Sequence, residues 1–195
     1  MLAGLLVLSL SFFGSVIRDR IQLSENLVRL HVVADSDETA DQEEKLAVRD
    51  AVLEFLEPKM ESVTDADSAR KTIQSLLPEL EQVSNQTLEA RNSGNRAVVT
   101  LQKDAFPTRV YDTFTLPSGV YDSLRITVGS GQGHNWWCVV FPELCIPETT
   151  EGFADAAEAG GFSDSVIETV TDEPMEIRFF LLDLLGRIQN ALFHR

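Results

Sequence analysis

The stretch LRITVGSGQGHNWWCVVF, residues 124–141, decides the fold more than any other part of the chain. Residues 124–128 alternate between apolar and polar side chains, which is typical of a half-buried β-strand. A glycine-containing loop over 129–133 follows, and the nearly continuous apolar run at 136–141 predicts a second strand. The stretch therefore predicts two strands joined by a flexible hairpin loop.

Further strands are predicted upstream of this stretch. Residues 27–34 (LVRLHVVA) are rich in β-branched side chains, with Arg29 and His31 alternating with apolar neighbours, and residues 97–101 (AVVTL) have a similar character. Residues 111–116 are ambiguous between a strand and a helical turn. Together these segments indicate an antiparallel sheet.

Two helices are predicted between the first two strands. One begins beside Thr39 and Gln42, whose spacing has the form of a capping box, and ends at Pro58. The other covers 65–91, where apolar residues recur at helical spacing, and Pro78 is expected to kink or divide it.

The C-terminal part predicts a loose, partly disordered connection over 149–172, followed by a last helix over 175–193 with Pro174 in its first turn. The apolar stripe of this helix is expected to cover a face of the sheet. Its members are Ile177, Leu181, Leu184, Ile188 and Leu192. We therefore predict an α+β fold: an antiparallel sheet with N-terminal helices and a C-terminal helix packed on it, in a single domain.

The charge of the chain limits its partners. It has 31 acidic and 16 basic residues in 195, a formal net charge of −15. Nucleic acid repels such a chain, so we predict no nucleic-acid partner. Residues 126–177 contain ten carboxylates and no Lys or Arg. This stretch is either a solvated acidic face or a docking surface for a basic partner.

The first 17 residues, MLAGLLVLSLSFFGSVI, carry no charged side chain. A signal peptide, a short signal anchor and a buried N-terminal helix are the three interpretations. Export or anchoring is favoured because the run is apolar all round, although no basic segment precedes it and Arg18 and Arg20 follow it. We predict a signal or membrane-anchor segment over 1–24 and the folded domain over 25–195.

The chain contains two cysteines, Cys138 and Cys145. An even number of cysteines close together in an exported chain favours a disulfide. A zinc site is the alternative, but no second pair of Cys or His residues stands at ligand spacing. We therefore predict a disulfide and no metal or other cofactor.

Two motifs resemble known ligand-binding sites, but each lacks residues that such a site requires. The loop over 129–133 lacks both the dinucleotide fingerprint and the Lys-Ser or Lys-Thr pair of a phosphate loop. Asp35 and Asp37 begin a stretch that resembles a calcium loop, but Ala40 and Leu46 stand where an EF-hand needs Gly and Glu.

Two candidate nucleophiles remain. Ser68 and Lys71 have the S-x-x-K spacing, but the companion K-T-G element is missing. His134 and Cys138 could act as a thiol-dependent or cell-wall hydrolase after export, provided that the cysteine is not in a disulfide. This hydrolase is the alternative function, and a purely structural envelope protein is a third.

The sequence resembles the stage II sporulation protein R family of endospore-forming bacteria over about residues 27–145. The family pattern F-P-T-R-x-Y, then L-P-x-G-x-Y, then G-x-N-W-W-C-V-x-F-P-x-L-C occurs within residues 106–145. The run RLHVVADSD at 29–37 and Gln42, Lys45 and Arg49 are similar to the opening strand and helix of the family.

The resemblance implies a function. Proteins of this family are exported from the forespore into the space between the forespore and mother-cell membranes. There they activate a membrane-embedded aspartic peptidase that cleaves the precursor of sigma factor E. On this basis the chain is expected to be a partner of that peptidase and not an enzyme, with attachment to the membrane through its N-terminal apolar segment as a further expectation. The residues themselves, and not the resemblance, suggest His134, Asn135, Trp136 and Trp137 as partner-binding residues, since adjacent tryptophans on a strand project to opposite faces. The alternative is that both tryptophans are buried, one under the central helices and one under the C-terminal helix.

Overall fold

The structure is a computed structural model that describes residues 2–111, 114–142, 145, 150–171 and 177–193, with the side chains of 10–111, 114–142, 145, 154–171 and 177–193. The chain divides into two compact units. The first contains Met1–Asn26, Asp104–Tyr121 and Pro147–Arg195, and the second contains Leu27–Lys103 and Asp122–Ile146. The single domain over 25–195 stays a prediction.

The described residues form helices and strands in mixed order, which confirms the α+β class. In chain order the elements are α1 Leu2–Asn26, β1 Val28–Val33, α2 Thr39–Met60, α3 Ala66–Ala90, β2 Ala97–Phe106, β3 Arg109–Val110, β4 Thr115–Leu116, β5 Gly119–Val128, β6 Asn135–Phe141, α4 Thr150–Ala159, α5 Asp164–Thr171 and α6 Ile177–Phe193.

The main sheet has four strands in the order β2-β5-β1-β6, and β3 and β4 form a separate two-stranded sheet. Strand β1 pairs with β6 in the antiparallel sense but with β5 in the parallel sense, so the sheet is mixed and not purely antiparallel. Parallel neighbours need a long crossover connection, and α2 and α3 lie in the connection between β1 and β5. Because β1 lies between β5 and β6, the predicted hairpin of these two strands is wrong.

Helices α2 and α3 pack on one face of this sheet and form the core of the second unit. Their predicted bounds hold to within a few residues, but neither proline acts as expected. Pro58 lies in the last turn of α2, which continues to Met60, and Pro78 lies inside an undivided α3. The buried core includes Val52 and Leu80, which flank these positions in sequence. A proline inside a helix removes one helical hydrogen bond. We attribute the continuity of both helices to this core packing, which offsets that loss.

The start of each helix depends on its capping residue. Asp65 caps α3 by accepting a hydrogen bond from the N–H of Ser68 at 2.8 Å. The predicted capping box of α2 is absent, because Glu38 is its N-cap and makes no side-chain cap bond. Gln42 instead donates to the carbonyl oxygen of Ser36 at 2.8 Å.

Helix α1 runs without a break from the uncharged N-terminal run to Asn26. Val16 and Leu23 are fully or almost fully buried, so the packed part of α1 begins inside the uncharged run. Among the described residues, no helix combines the length and the apolar character that crossing a membrane requires. The signal or anchor segment over 1–24 stays a prediction.

Helix α6 packs against other parts of the first unit through a polar network. The carboxylate of Asp183 accepts hydrogen bonds from the backbone N–H of Ser118 at 2.9 Å and from the hydroxyl of Thr108. Arg20 of α1 donates to the carbonyl oxygens of Ser118 and Leu182 at 3.0 and 3.2 Å. The first unit is therefore joined by contacts between three distant parts of the sequence.

The predicted apolar stripe of α6 exists but mostly faces solvent. Ile177, Leu184, Ile188 and Leu192 are exposed and Leu181 is half-buried. The buried side consists of Phe179, Leu182, Asp183 and Gly186. The prediction that this stripe is buried is wrong, because α6 carries large apolar side chains on more than one side. The predicted helix start at Pro174 lies outside the described residues.

The stretch predicted as a loose connection contains two helices, α4 and α5, so that prediction is wrong for 150–171. Gly161, at φ +83°, ends α4, and the N–H of Phe162 bonds to the carbonyl oxygen of Ala157 at 3.0 Å. This is the usual way in which glycine ends a helix. Alanine and glutamate also favour helix, although the apolar periodicity of the segment is weak.

Candidate functional site

The candidate site lies in the second unit, where the carboxyl end of β1 meets the amino end of β6. The register pairs His31 with Trp137, Val32 with Trp136 and Val33 with Asn135. Among the described strands, β6 lies at the edge of the sheet. The loop that precedes β6 and the turn that follows β1 are therefore neighbours.

The loop over 129–133 crosses the end of β1 and is held there by Asp35. The backbone N–H of Ser130 donates to a carboxylate oxygen of Asp35 at 2.5 Å, and the hydroxyl of Ser130 donates to the carbonyl oxygen of Asp35 at 3.0 Å. These hydrogen bonds hold the pKa of the Asp35 carboxyl below its ordinary value. Gly129 has φ +58°, and a Cβ atom there would lie 2.3 Å from the carboxylate of Asp35. The position thus requires glycine.

Asp37 fixes the next residue of the loop. Its carboxylate accepts a hydrogen bond from the backbone N–H of His134 at 2.7 Å and lies 2.5 Å from Nδ1 of the same residue. The imidazole is 78% exposed but oriented by this contact. The buried Lys45 of α2 donates to the carbonyl oxygen of His134 at 3.1 Å. Burial, and then the charge of Arg49, lower the pKa of Lys45.

Trp136 lies on the helix-covered face of the sheet. Its half-buried ring packs against the core, and the guanidinium of Arg49 lies 4.2 Å from the ring centroid. Such a cation–π contact stabilises a partly exposed site by about 0.5–1 kcal/mol. The indole N–H of Trp136 has no hydrogen-bond acceptor among the described residues.

Trp137 lies on the opposite face and stacks on His31. The ring centroids are 3.8 Å apart and the planes differ by 20°. Nε2 of His31 donates to the side-chain oxygen of Asn135 at 2.6 Å. His31, Asn135 and Trp137 therefore form one cluster on this face, with the amide of Asn135 exposed.

Cys138 and Cys145 form the predicted disulfide, with their Cα atoms 5.4 Å apart. The backbone N–H of Cys145 also donates to the carbonyl oxygen of Val139 at 2.8 Å. Cys145 thus lies against β6 beside Val139.

This arrangement decides between several sequence hypotheses. The sulfur of Cys138 is bonded to that of Cys145, so it offers no thiolate to His134. The hydroxyl of Ser68 donates to the carboxylate of Asp65 at 2.7 Å, as part of the helix cap. In the described part of the chain, no cluster of three or more potential metal ligands is found. Cys138 and Ser68, the two candidate nucleophiles, therefore have structural roles in the described residues, one in the disulfide and the other in the cap of α3.

The sequence analysis placed His134, Asn135, Trp136 and Trp137 in one site. In the structure Trp136 lies on the helix-covered face, and Trp137 lies on the opposite face with Asn135 and His31. Their role in binding stays a prediction.

The sequence analysis assigned no role to Lys45 or Arg49, which contact the site from α2. These two residues are four apart and so share a helix face. The spacing of these two basic residues, close in sequence to the acidic turn with Asp35 and Asp37, is the sequence signal that could have identified them.

Two comparisons with known proteins bear on the chain. The model of the family described as stage II sporulation protein R matches residues 24–151. The chain is also similar to the stage II sporulation protein R of Bacillus subtilis (strain 168), with 31% identity over 208 residues that cover 93% of each chain. No solved structure matches it. The residues matched by the family model include the whole of the candidate site.

Proposed function

The chain belongs to the stage II sporulation protein R family, and from this premise we propose that it is an exported signalling protein that activates a membrane-embedded aspartic peptidase. Its role in sporulation follows from the family. Activation of the peptidase, and the resulting cleavage of the precursor of sigma factor E, is the function that the sequence resemblance implies. In this proposal the peptidase performs the catalysis and the chain is its ligand.

The observation that carries the proposal is the meeting of two distant motifs at one end of the sheet. Asp35 and Asp37 bond to Ser130 and His134, which are 95 and 97 residues further along the chain. These bonds hold the loop that leads directly into Asn135 and the tryptophans. A pre-ordered surface of this kind favours binding, because little conformational freedom is lost on contact.

We propose that His134, Asn135, Trp136 and Trp137 form the docking segment for the peptidase: His134, Asn135 and Trp137 contact it, and Trp136 holds the segment against the core. His134 and Asn135 are exposed and supply polar groups, and the half-buried Trp137 presents ring area beside them. Tryptophans at the centre of protein interfaces often carry much of the binding energy. The peptidase is then expected to contact the edge strand β6.

We propose further that the chain acts in the space between the forespore and mother-cell membranes. Its uncharged N-terminal run and the disulfide support export, since disulfides persist in oxidising compartments. The N-terminal segment, as signal or anchor, is proposed to attach the chain to a membrane there.

The test is to produce the peptidase and the sigma-factor precursor together in a bacterial host that lacks all three proteins. The chain, directed to the outer side of the membrane, is then added or left out. We expect precursor cleavage, measured by immunoblot, only when the chain is present. Val98→Gln, which changes an exposed residue of β2 away from the site, is expected to activate like the unchanged chain. Equal cleavage with and without the chain would contradict the proposal.

A further inference from the structure

Two helices of the first unit expose large apolar side chains in regular stripes. In each stripe the residues recur every three or four positions and therefore lie on one helix face. The stripe of α6 consists of Ile177 (73% exposed), Phe180 (61%), Leu184 (41%), Ile188 (51%) and Leu192 (64%), and that of α1 consists of Leu10 (64%), Phe13 (52%), Ile17 (51%) and Ile21 (48%).

A groove separates the two helices. It holds a cavity of about 310 Å³ that is lined by Ile17, Arg20, Ile21 and Ser24 from α1, and by Leu185 and Gln189 from α6. Ile17 and Ile21 belong to the α1 stripe, and Leu185 and Gln189 are the sequence neighbours of Leu184 and Ile188 in the α6 stripe, so the groove lies beside both stripes. We refer to the two stripes and this groove as the α1–α6 face. Exposed apolar surface of this kind marks an interaction site.

The α1–α6 face also differs from the rest of the chain in charge. The two helices carry four arginines (Arg18, Arg20, Arg178 and Arg187) and three acidic residues (Asp19, Glu25 and Asp183), a formal charge of +1, whereas the whole chain carries −15.

Two of these carboxylates lie inside the unit. Asp19 and Asp183 are buried and pair with Arg178 and Arg187, respectively. Arg18, Arg187 and Glu25 are exposed, so the exposed charges of the two helices sum to +1. The α1–α6 face therefore carries a small positive charge, in a chain that is otherwise strongly acidic.

We propose that the α1–α6 face lies on the surface of a lipid bilayer that contains anionic lipids. The apolar stripes enter the boundary between headgroups and acyl chains, and the arginines meet anionic headgroups, as in interfacial amphipathic helices. A second copy of the chain fits less well, since it would bring arginines against arginines. The inference goes beyond the proposed function, because it assigns a membrane role to α6 and requires no peptidase.

The experiment places an environment-sensitive fluorophore, nitrobenzoxadiazole, on the full chain at Ile188→Cys, and separately at Val98→Cys as a control. Val98 is 56% exposed but lies on β2 in the second unit. Vesicles of phosphatidylcholine and phosphatidylglycerol in equal parts are compared with vesicles of phosphatidylcholine alone. We expect a blue shift at 188, quenched by nitroxide-labelled lipid, with the mixed vesicles, and none at 98.

Each other outcome overturns the proposal. A label at 188 that stays in water while the chain sediments with vesicles would show attachment through the N-terminal run alone. A shift without vesicles that grows with protein concentration would identify a second copy as the occupant. An absence of binding to the mixed vesicles would exclude the bilayer, and equal shifts with both vesicles would exclude the role of the arginines.

A second variant measures the contribution of α6 to affinity. The double substitution Leu184→Gln with Ile188→Gln is expected to weaken binding to the mixed vesicles at least about tenfold, because each side chain loses its apolar burial. Both side chains are exposed, so the fold is expected to survive, which circular dichroism checks. Val98→Gln is the matched control, and an equal loss of binding in both variants would count against the α1–α6 face. These measurements involve no peptidase, so their failure would leave the proposed activation untouched.

Discussion

Gly186 of α6 lies so close to Ser118 that a Cβ atom on the glycine would be 1.7 Å from the carbonyl oxygen of Ser118. The same stretch of chain donates the N–H and the hydroxyl of Ser118 to Asp183, one turn earlier on α6. Residues 116–119 (L-P-S-G) therefore form the surface on which the C-terminal helix α6 packs. This packing requires a glycine at position 186 and a carboxylate at position 183 of α6.

Gly186→Ala is expected to destabilise the protein by about 1–3 kcal/mol, because the added methyl group meets backbone and cannot be accommodated by a side-chain rotation. Urea denaturation followed by circular dichroism measures the change. Gly14→Ala is the control, since a Cβ atom at Gly14 of α1 would have no neighbouring atom within 4 Å. Alanine is the better helix former there, so the control is expected to be neutral or slightly stabilising. Equal losses in both variants would refute the steric explanation.

Asp183→Asn is expected to cost about 1–3 kcal/mol at neutral pH, because buried donors then lose a charged acceptor. Burial alone would raise the pKa of Asp183, but hydrogen bonds from Thr108, Ser118 and Arg187 outweigh it and lower the pKa below its ordinary value of 3.8. A lowered pKa contributes stability at pH above the ordinary value, and this contribution is lost as the pH falls through the folded-state pKa.

The difference in unfolding free energy between wild type and Asp183→Asn is therefore expected to shrink as the pH falls below about 4. Urea titrations at a series of pH values measure it. Asp50→Asn removes an exposed carboxylate and is expected to have little effect. A difference for Asp183→Asn that stays constant down to acidic pH would show that the carboxylate charge is not the stabilising feature.

Replacing both Cys138 and Cys145 by serine is expected to cost about 2–3 kcal/mol, the chain-entropy contribution of a short disulfide loop. Dithiothreitol is expected to lower the denaturation midpoint of the wild type and leave that of the variant unchanged. Below its melting temperature the variant is expected to activate the peptidase. Loss of activation in a folded variant would instead show that the disulfide itself is needed to hold the activating surface.

The strands could be predicted because their alternation and β-branched runs are local signals. Strand neighbours could not, since the pattern of β5 and β6 contains nothing to show that β1 lies between them. The side of α6 that is buried could not be predicted either. Phe179 and Leu182 are as apolar as the exposed stripe, so only its distant partners, Arg20 and Ser118, select the buried side.

The opposite directions of the two tryptophans could be predicted from the sequence, but the contacts that hold the candidate site could not. Adjacent tryptophans on a strand must face opposite ways, and they do. The partner of each tryptophan, Arg49 from α2 or His31 from β1, depends on tertiary packing between residues 87 and 106 positions apart, respectively. The bonds of Asp35 and Asp37 to the loop backbone could not be predicted, because they join residues 95 and 97 positions apart in the sequence.

The two tryptophans are expected to respond differently to truncation, which tests the docking surface. Trp136→Ala removes core packing and the contact with Arg49, so its loss of activation is expected to follow its loss of stability. Trp137→Ala removes the ring stacked on His31, beside the exposed amide of Asn135. We expect this variant to lose more activation than its melting temperature explains, because this face is proposed to meet the peptidase.

Melting temperatures and precursor cleavage, measured at a temperature where every variant is folded, separate the two effects. His31→Ala is the comparison for Trp137→Ala: it removes the same stacking contact, worth about 0.5–1.5 kcal/mol, and the hydrogen bond to Asn135, but leaves the indole in place. It is expected to lower stability and to lose less activation than Trp137→Ala. If Trp136→Ala and Trp137→Ala both lose activation only in proportion to lost folding, the segment is core and the peptidase binds elsewhere.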